Sequence, residues 1–171
     1  YGGTHCQPSC SVTDGTSVSV TLNSTASDID FQLDKGGVIK GSITQNDGTT
    51  PIANVQVVAY NADNVWVASG GVASAGEYEI AGLLDGDYYV KTSGNYSFQY
   101  QNEIYDDVVC VGSCDATTGA SVSVSLGETT TDIDFSLDKL GDIRGKVTNS
   151  SSGAGIPYIQ VRVYDSNGAY V

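Results

Sequence analysis

The chain has 171 residues, 40% of them hydrophobic, which is enough to bury a core and excludes a largely disordered protein. Its formal net charge is −13 with only 7 Lys and Arg residues, and this excludes nucleic acid as a partner because phosphate binding requires a basic surface. No run reaches the roughly 18 apolar residues of a membrane helix, so we expect no membrane insertion in this segment.

The residue types favour an all-β fold. The chain contains 21 Gly, many Val, Thr, Ser and Tyr residues, and no Met. β-Branched residues and Tyr fit the pleated, half-buried surface of a sheet, whereas long runs of helix-forming residues are missing from the sequence. Composition therefore predicts strands rather than helices.

The beginning of the chain introduces a pattern that returns 104 positions later. The stretch Tyr-Gly-Gly-Thr-His-Cys-Gln-Pro-Ser-Cys at 1–10 returns as Tyr-Asp-Asp-Val-Val-Cys-Val-Gly-Ser-Cys at 105–114, and Asp-Ile-Asp-Phe at 28–31 returns at 132–135. About 28 of the 67 positions that overlap at this offset are identical. A constant offset of this kind indicates tandem repeats of about 104 residues.

The sequence Leu-Asp-Lys occurs at 33–35 and again at 137–139, and it sets the expected boundaries of the repeats. We expect residues 1–34 to be the C-terminal part of a preceding repeat, 35–138 to be a complete repeat, and 139–171 to be the N-terminal part of the following one. Junctions this short favour a semi-rigid rod over flexibly linked domains. The inter-repeat junction residues are Asp34, Lys35, Asp138 and Lys139.

The pattern begins and stops in the middle of a repeat, so we expect a longer parent chain. The two incomplete ends together lack the equivalents of residues 68–104. Neighbouring copies therefore cannot form a whole domain simply by pairing their ends.

Within the complete repeat, alternating apolar residues and regularly spaced turns predict seven or eight strands of a β-sandwich, immunoglobulin-like or transthyretin-like. In the last of these, Ile133, Phe135 and Leu137 are expected to face the core, with Asp132 and Asp134 facing water. The predicted strands are 38–43, 55–60, 65–68, 77–80, 87–92, 98–105, 121–126 and 132–137.

Three stretches in this repeat carry a family resemblance. They are Gly-Val-Ile-Lys-Gly-Ser-Ile-Thr, then Pro-Ile-Ala-Asn-Val-Gln-Val, and Gly-Glu-Tyr-Glu-Ile-Ala-Gly-Leu-Leu-Asp-Gly-Asp-Tyr-Tyr-Val at 76–90. Together they resemble the carboxypeptidase regulatory-like domain, which is related in fold to the Cna-B-like repeats of Gram-positive surface adhesins. The Cys-x-x-x-Cys stretch is similar to a subgroup found as tandem arrays in large secreted bacterial proteins. The resemblance implies a non-catalytic spacer or stalk.

All four cysteines lie in two Cys-x-x-x-Cys pairs, Cys6 with Cys10 and Cys110 with Cys114. Because each pair recurs intact, we expect a disulfide within each repeat, which requires an oxidising and therefore extracellular or cell-surface location. A zinc site and free thiols are the alternatives. Zinc needs four ligands, and the repeats share only two thiols, since His5 aligns with Val109.

The sequence shows no clear group of catalytic residues, and we expect that the protein is not an enzyme. The single histidine, His5, does not recur, and the alternating Asp residues are a solubilising pattern rather than a sheltered acid pair. A Lys–Asn isopeptide bond of the kind found in related adhesin repeats would use Lys40, but Lys40 aligns with Arg144. No cofactor is expected, although structural calcium at Asp34, Asp138 or Asp106–Asp107 stays open as an alternative.

Surface residues leave two further kinds of site open. Three Asn-x-Ser/Thr sequons, at Asn23, Asn95 and Asn149, are candidates for glycosylation. Aromatic residues form either core and inter-domain packing, which we favour, or a platform for a glycan. These residues are Trp66, Tyr88, Tyr89, Tyr96, Phe98, Tyr100 and Tyr105.

The sequence thus predicts an extracellular structural protein, a segment of a surface fibre, stalk or filament that associates with further copies of itself. The alternatives are an adhesin that binds a surface glycan or protein, and a non-catalytic spacer attached to a secreted enzyme.

Overall fold

The computed structural model describes residues 3, 6–7, 9–73, 75–94, 99–168 and 170. It divides into two compact units, Tyr1–Leu140 and Gly141–Val171. The strands of the described part lie in the first unit, within the repeat predicted to be complete. They are β1 (Gly37–Gln45), β2 (Gln56–Tyr60), β3 (Trp66–Gly71), β4 (Glu77–Leu83), β5 (Gly86–Ser93), β6 (Asn102–Ile104), β7 (Val108–Cys110), β8 (Ser121–Val124), β9 (Thr129–Thr130) and β10 (Phe135–Leu137).

The strands form two sheets, which confirms the predicted all-β sandwich. In the smaller sheet β1 lies between antiparallel β4 on one side and parallel β9 and β10 on the other. The larger sheet has the order β3-β2-β5-β6-β7, and β8 also pairs with β5. Its strand pairs are all antiparallel. The chain thus crosses between the two sheets several times, and the sheets enclose one apolar layer.

The core contains residues from both sheets, because every second side chain of a strand points to the same face. The last strand behaves as predicted: Ile133, Phe135 and Leu137 are buried, while Asp132 and Asp134 are exposed. Phe135 contacts two tyrosine rings, with centroids 6.2 Å from Tyr78 and 6.3 Å from Tyr105. The other large side chains that are almost completely buried in the core are Ile39, Ile43, Val57, Ile80, Leu83 and Val90.

The prediction of a sixth strand at 98–105 gave the wrong length and did not include β7, the strand that pairs with it. The structure has a hairpin there, in which β6 and β7 are three residues each and pair Asn102 with Cys110. Phe98 lies outside the described residues. Segments of three residues are too short to show an alternating pattern, and Val109 points outwards with most of its surface exposed.

Residues 11–34 form no strand, although their sequence matches β8 to β10. Their only regular element is a short 3₁₀-helix, Val12–Asp14, capped by the Ser11 hydroxyl. In the complete sandwich, the neighbouring positions on β1 and β5 are already occupied by residues 121–137. The earlier copy therefore remains extended, with exposed apolar side chains at Val18, Val20, Leu22, Phe31 and Leu33.

The second unit, Gly141–Val171, repeats the sequence of β1 and β2 without forming their sheet. Its described residues contain two isolated bridges, Thr148 with Gly155 and Tyr164 with Tyr170. Ile143 is 81% exposed, whereas Ile39, its counterpart in β1, is fully buried. The same contrast holds for Val147, Ile156, Ile159 and Val161 against Ile43, Ile52, Val55 and Val57.

Candidate functional site

The later disulfide loop is hydrogen-bonded to the outer face of the larger sheet. Cys110 ends β7 and is bonded to Cys114, with Cα atoms 5.7 Å apart. Lys91 Nζ donates to the carbonyl of Cys114 at 3.3 Å, and Gln101 Nε2 donates to the carbonyl of Cys110 at 2.8 Å. The loop thus contacts β5 and the segment leading into β6.

The loop continues into a 3₁₀-helix, Ala116–Thr118, that is anchored at both ends. Asp115 caps the helix by accepting from the backbone N–H of Thr117. The pKa of Asp115 is below its usual value, because its carboxylate accepts hydrogen bonds from the Thr117 hydroxyl, the larger effect, and from the Thr117 N–H. The N–H of Ala116 donates to Asn64 Oδ1 at 3.0 Å, which connects the helix to the β2–β3 turn. Ala116 itself is fully buried.

The earlier disulfide, Cys6–Cys10, closes the equivalent loop, with Cα atoms 5.0 Å apart. Its residue Gln7 contacts the complete sandwich through three hydrogen bonds. Gln7 Nε2 donates to the carbonyl of Gly82 at 2.9 Å, and Gln7 Oε1 accepts from the N–H of Leu84 at 3.0 Å and from Tyr88 Oη at 3.1 Å. One amide side chain thereby joins the preceding repeat segment to the β4–β5 turn, a contact that the sequence did not reveal.

The junction at Asp138–Lys139 is built into the sandwich. The carbonyl of Asp138 accepts from the N–H of Gln101 at 2.8 Å, and the side chain of Asp138 accepts from Asn46 Nδ2. Lys139 bridges with Tyr100, and the N–H of Leu140 donates to the carbonyl of Gln99 at 2.7 Å. At the earlier junction, Asp34 and Lys35 are exposed.

A carboxylate cluster beside this junction was missed by the sequence analysis. Glu103 on β6 is only 7% exposed and lines a cavity of about 170 Å³ together with Asp107 and Asp138. Burial, followed by the charges of Asp107, Asp106 and Asp138, raises the pKa of Glu103 to about 7. Three of these acids, Glu103, Asp106 and Asp107, are close in sequence, and the end of β10 brings the remote Asp138 to them.

Asp106, Asp107 and Asp138 are among the residues at which the sequence analysis left structural calcium open. The structure places Asp107 and Asp138 at one cavity, with Asp34 elsewhere on the exposed segment. Across the residues that the structure describes, no group of three or more His, Cys, Asp or Glu side chains is arranged to hold a metal ion. All four cysteines are in disulfides, so none is available as a zinc ligand.

Lys40, the isopeptide candidate, forms an ion pair with Glu79 across β1 and β4 at 2.8 Å, and both side chains are about half exposed. An exposed pair of this kind contributes little to stability, about 0–1 kcal/mol. On the same side of the sheet, Asp134 accepts from the N–H of Ser42 at 2.7 Å and from its hydroxyl at 2.8 Å. These contacts connect β1 to its neighbouring strands.

The aromatic residues divide between the core and the surface. Tyr88 is buried in the core, and Tyr100 and Tyr105 are partly buried side chains that pack against the core. Trp66, by contrast, is 50% exposed. Tyr96 and Phe98 lie outside the described residues. Three of these side chains thus pack in or against the core, whereas Trp66 and Tyr89 are partly exposed because Val67 and Val90 are the neighbours that turn inwards.

Two of the three sequons lie on exposed backbone. Asn23 adopts a left-handed conformation with φ 62°, and Asn149 Oδ1 accepts from the N–H groups of Ser151 and Ser152. Asn95 and His5 lie outside the described residues. Glycosylation stays a prediction.

The two sheets, their shared core and the fastened disulfide loop define an all-β sandwich module within a chain that repeats its own sequence. No protein-family model matches the chain. No curated protein matches it either. Within the described residues, no helix has the length and apolar character needed to span a membrane.

Among solved structures, the chain is similar to GBS52, the minor pilin of Streptococcus agalactiae, with 19% identity and a TM-score of 0.44 over 67% of this chain and 49% of that one. It is also similar to the Bacillus anthracis TIE protein, with 17% identity and a TM-score of 0.42 over 80% of this chain and 23% of that one. The chain thus spans less than half the length of either protein. The sandwich fold itself is established by the strand pairing described above.

Proposed function

We propose that the chain is an extracellular structural segment of a surface fibre, stalk or filament built from tandem β-sandwiches. The observation that carries this proposal is the exposure of apolar residues in the two flanking segments, whose counterparts form the core of the complete sandwich. Ile143 and Ile39 are the clearest pair. Such faces are buried once a neighbouring sandwich supplies the strands that pair with them.

Two contacts support a stiff connection between successive sandwiches. Gln7 attaches the preceding disulfide loop to the β4–β5 turn, and the Asp138–Lys139 junction is hydrogen-bonded along the edge of its own sandwich. Short connections that are fixed in this way restrict bending and transmit tension along the chain. A role as a spacer or fibre requires no catalytic residues, and fibres of this kind associate with further copies of the chain.

Electron microscopy of engineered arrays tests the proposal. Chains with two, three and four added repeats, each copied from residues 68–171, are expected to form straight rods. Their length should grow by about 35–45 Å per repeat, the length of a sandwich whose strands and loops span roughly a dozen extended residues. A matched array with Ile143→Asp at each equivalent position should lose the regular spacing. Globules or irregular coils in the unmodified arrays would contradict the proposal.

A further inference from the structure

Three aromatic side chains form a row across the outer face of the larger sheet. Tyr60 on β2 is paired with Tyr89 on β5 and, just after a shift in the β2–β3 register, with Trp66 on β3. Directly paired residues of adjacent strands point to the same face, about 5 Å apart. The sequence neighbours Ala59, Val67 and Val90 are in the core, so the three aromatic residues point to the opposite, solvent side. Trp66 is half-exposed, and Tyr60 and Tyr89 are partly exposed. We call this set the aromatic row.

The second unit contains counterparts of two of these three residues in a separate copy of the sequence. Tyr164 and Tyr170 lie one repeat after Tyr60 and Trp66. They too are paired across a hairpin, with ring centroids 6.0 Å apart and planes at 75°, and they are 53% and 72% exposed. Both positions of this hairpin thus carry aromatic residues in both copies of the sequence.

Polar groups surround the aromatic row and hold it in place. Lys91 Nζ lies 4.8 Å from the centre of the Tyr60 ring and is fixed by its bond to the carbonyl of Cys114. The turn beside Trp66 is ordered by Asn61 Oδ1, which accepts from the N–H groups of Asp63 and Val65. The carboxylate of Asp63 is exposed at this turn. The aromatic rings thus lie beside a lysine donor held by the disulfide loop and near an exposed carboxylate.

These features match the chemistry of a sugar ring. A pyranose presents a face of polarised C–H groups that stacks on the electron-rich face of Trp or Tyr, and its hydroxyls hydrogen-bond to amides, lysine and carboxylates at the edge. The net charge of −13 disfavours an anionic glycan through like-charge repulsion. We propose that the aromatic row Tyr60–Trp66–Tyr89 is a binding site for an uncharged oligosaccharide.

Several copies of the aromatic row along a tandem array would raise the overall affinity of this shallow site. A single open row of three rings buries little of its ligand, so one sandwich binds weakly. A long glycan that contacts several rows of one array gains about 10²–10⁴ in overall affinity when the sites can be occupied together. The proposal concerns this surface and holds whether or not the chain forms a fibre.

The single tryptophan of the chain is a direct reporter, because only Trp66 contributes indole fluorescence. The 171-residue chain is titrated with cellohexaose, mannohexaose and chitohexaose, and with hexagalacturonate as the acidic probe. We expect a saturable blue shift with at least one uncharged probe and a weaker response to hexagalacturonate. Absence of a saturable shift with all three uncharged probes, or an equal response to the acidic one, overturns the proposal.

Variants separate sugar binding from simple stabilisation of the hairpin. Tyr60→Ala and Tyr89→Ala keep the Trp66 reporter and should each weaken binding at least tenfold, with circular dichroism still showing the folded sandwich. Tyr158→Ala removes an exposed tyrosine outside the aromatic row and should leave the binding constant unchanged. If Tyr60→Ala and Tyr89→Ala lower the unfolding midpoint and leave the affinity of a responding sugar unchanged, the row is structural and the proposal fails.

Discussion

Replacing Leu137 by alanine lowers the free energy of unfolding by about 2–5 kcal/mol, the cost of a cavity in a packed core. The same change at Leu33, its counterpart one repeat earlier, alters the stability of this chain by only about 0.5 kcal/mol or less. The reason is burial, since Leu137 is 1% exposed and Leu33 is 86% exposed. Urea unfolding followed by circular dichroism measures both values on otherwise identical chains.

The two leucines are a matched pair because the surrounding sequence is Leu-Asp-Lys in both copies. A difference in stability therefore reports which copy is folded into a sandwich. Equal losses at the two positions would contradict the assignment of residues 35–138 as the complete domain.

The second large effect is a fall in stability as pH rises, caused by Glu103. The ordinary pKa of 4.5 for this side chain is raised to about 7 in the folded chain, chiefly by burial and then by the charge of Asp107. The folded state therefore binds the proton more tightly than the unfolded state. The stabilisation is fully present below about pH 4.5 and is lost as pH rises through about 7, a total on the order of 3–4 kcal/mol at roughly 1.4 kcal/mol per pKa unit.

The Glu103→Gln variant tests this effect, because an amide keeps the shape of the side chain and does not ionise. We expect the variant to be more stable than the unmodified chain at pH 8, with the advantage disappearing towards pH 4.5. Urea midpoints measured across this range give the difference directly, and the remaining carboxylates contribute to both profiles. Parallel profiles for the two chains would show that Glu103 does not hold its proton in the folded state.

The sandwich was predictable from the sequence wherever strands were long enough to show alternation. In β10, the order Ile133, Asp134, Phe135 repeats with a period of two, so both the strand and its buried face follow from the residues. The β6–β7 hairpin was not predicted correctly. Its strands have three residues each. They are held by the pairing of β6 with β5 and by the hydrogen bond from Gln101 to the disulfide loop at Cys110, and neither contact shows as a pattern in the sequence.

The contacts of the candidate site were largely hidden for the same reason. The pKa of Glu103 is raised because the fold buries this side chain and, secondly, because it brings the charges of Asp107 and Asp138 close to it. Gln7 reaches Gly82 and Leu84 across more than seventy positions, through a side chain that no pattern distinguishes from other glutamines. Pairwise repetition, in contrast, identified the two Cys-x-x-x-Cys pairs directly, because it compares the chain with itself, and the repeat boundaries that it gives stay a prediction.

Repetition also explains why residues 11–34 do not form the strands that their match to β8–β10 predicts. A strand is stable when its backbone groups and its apolar face both have partners. In the complete sandwich the places beside β1 and β5 are held by the later copy, β8 to β10. The same residue types therefore form a core in one copy and an exposed extended segment in the other.

The most direct test of this account is amide hydrogen exchange on a chain extended beyond Val171 by a copy of residues 68–140. The repeat predicts that this extension completes a second sandwich with residues 139–171. Amides of residues 143–163 should then become protected to the level of residues 39–59, and Ile143→Asp should abolish that protection while leaving 39–59 unchanged. If residues 143–163 exchange as rapidly in the extended chain as in the original one, the chain is not built from sandwiches repeating every 104 residues.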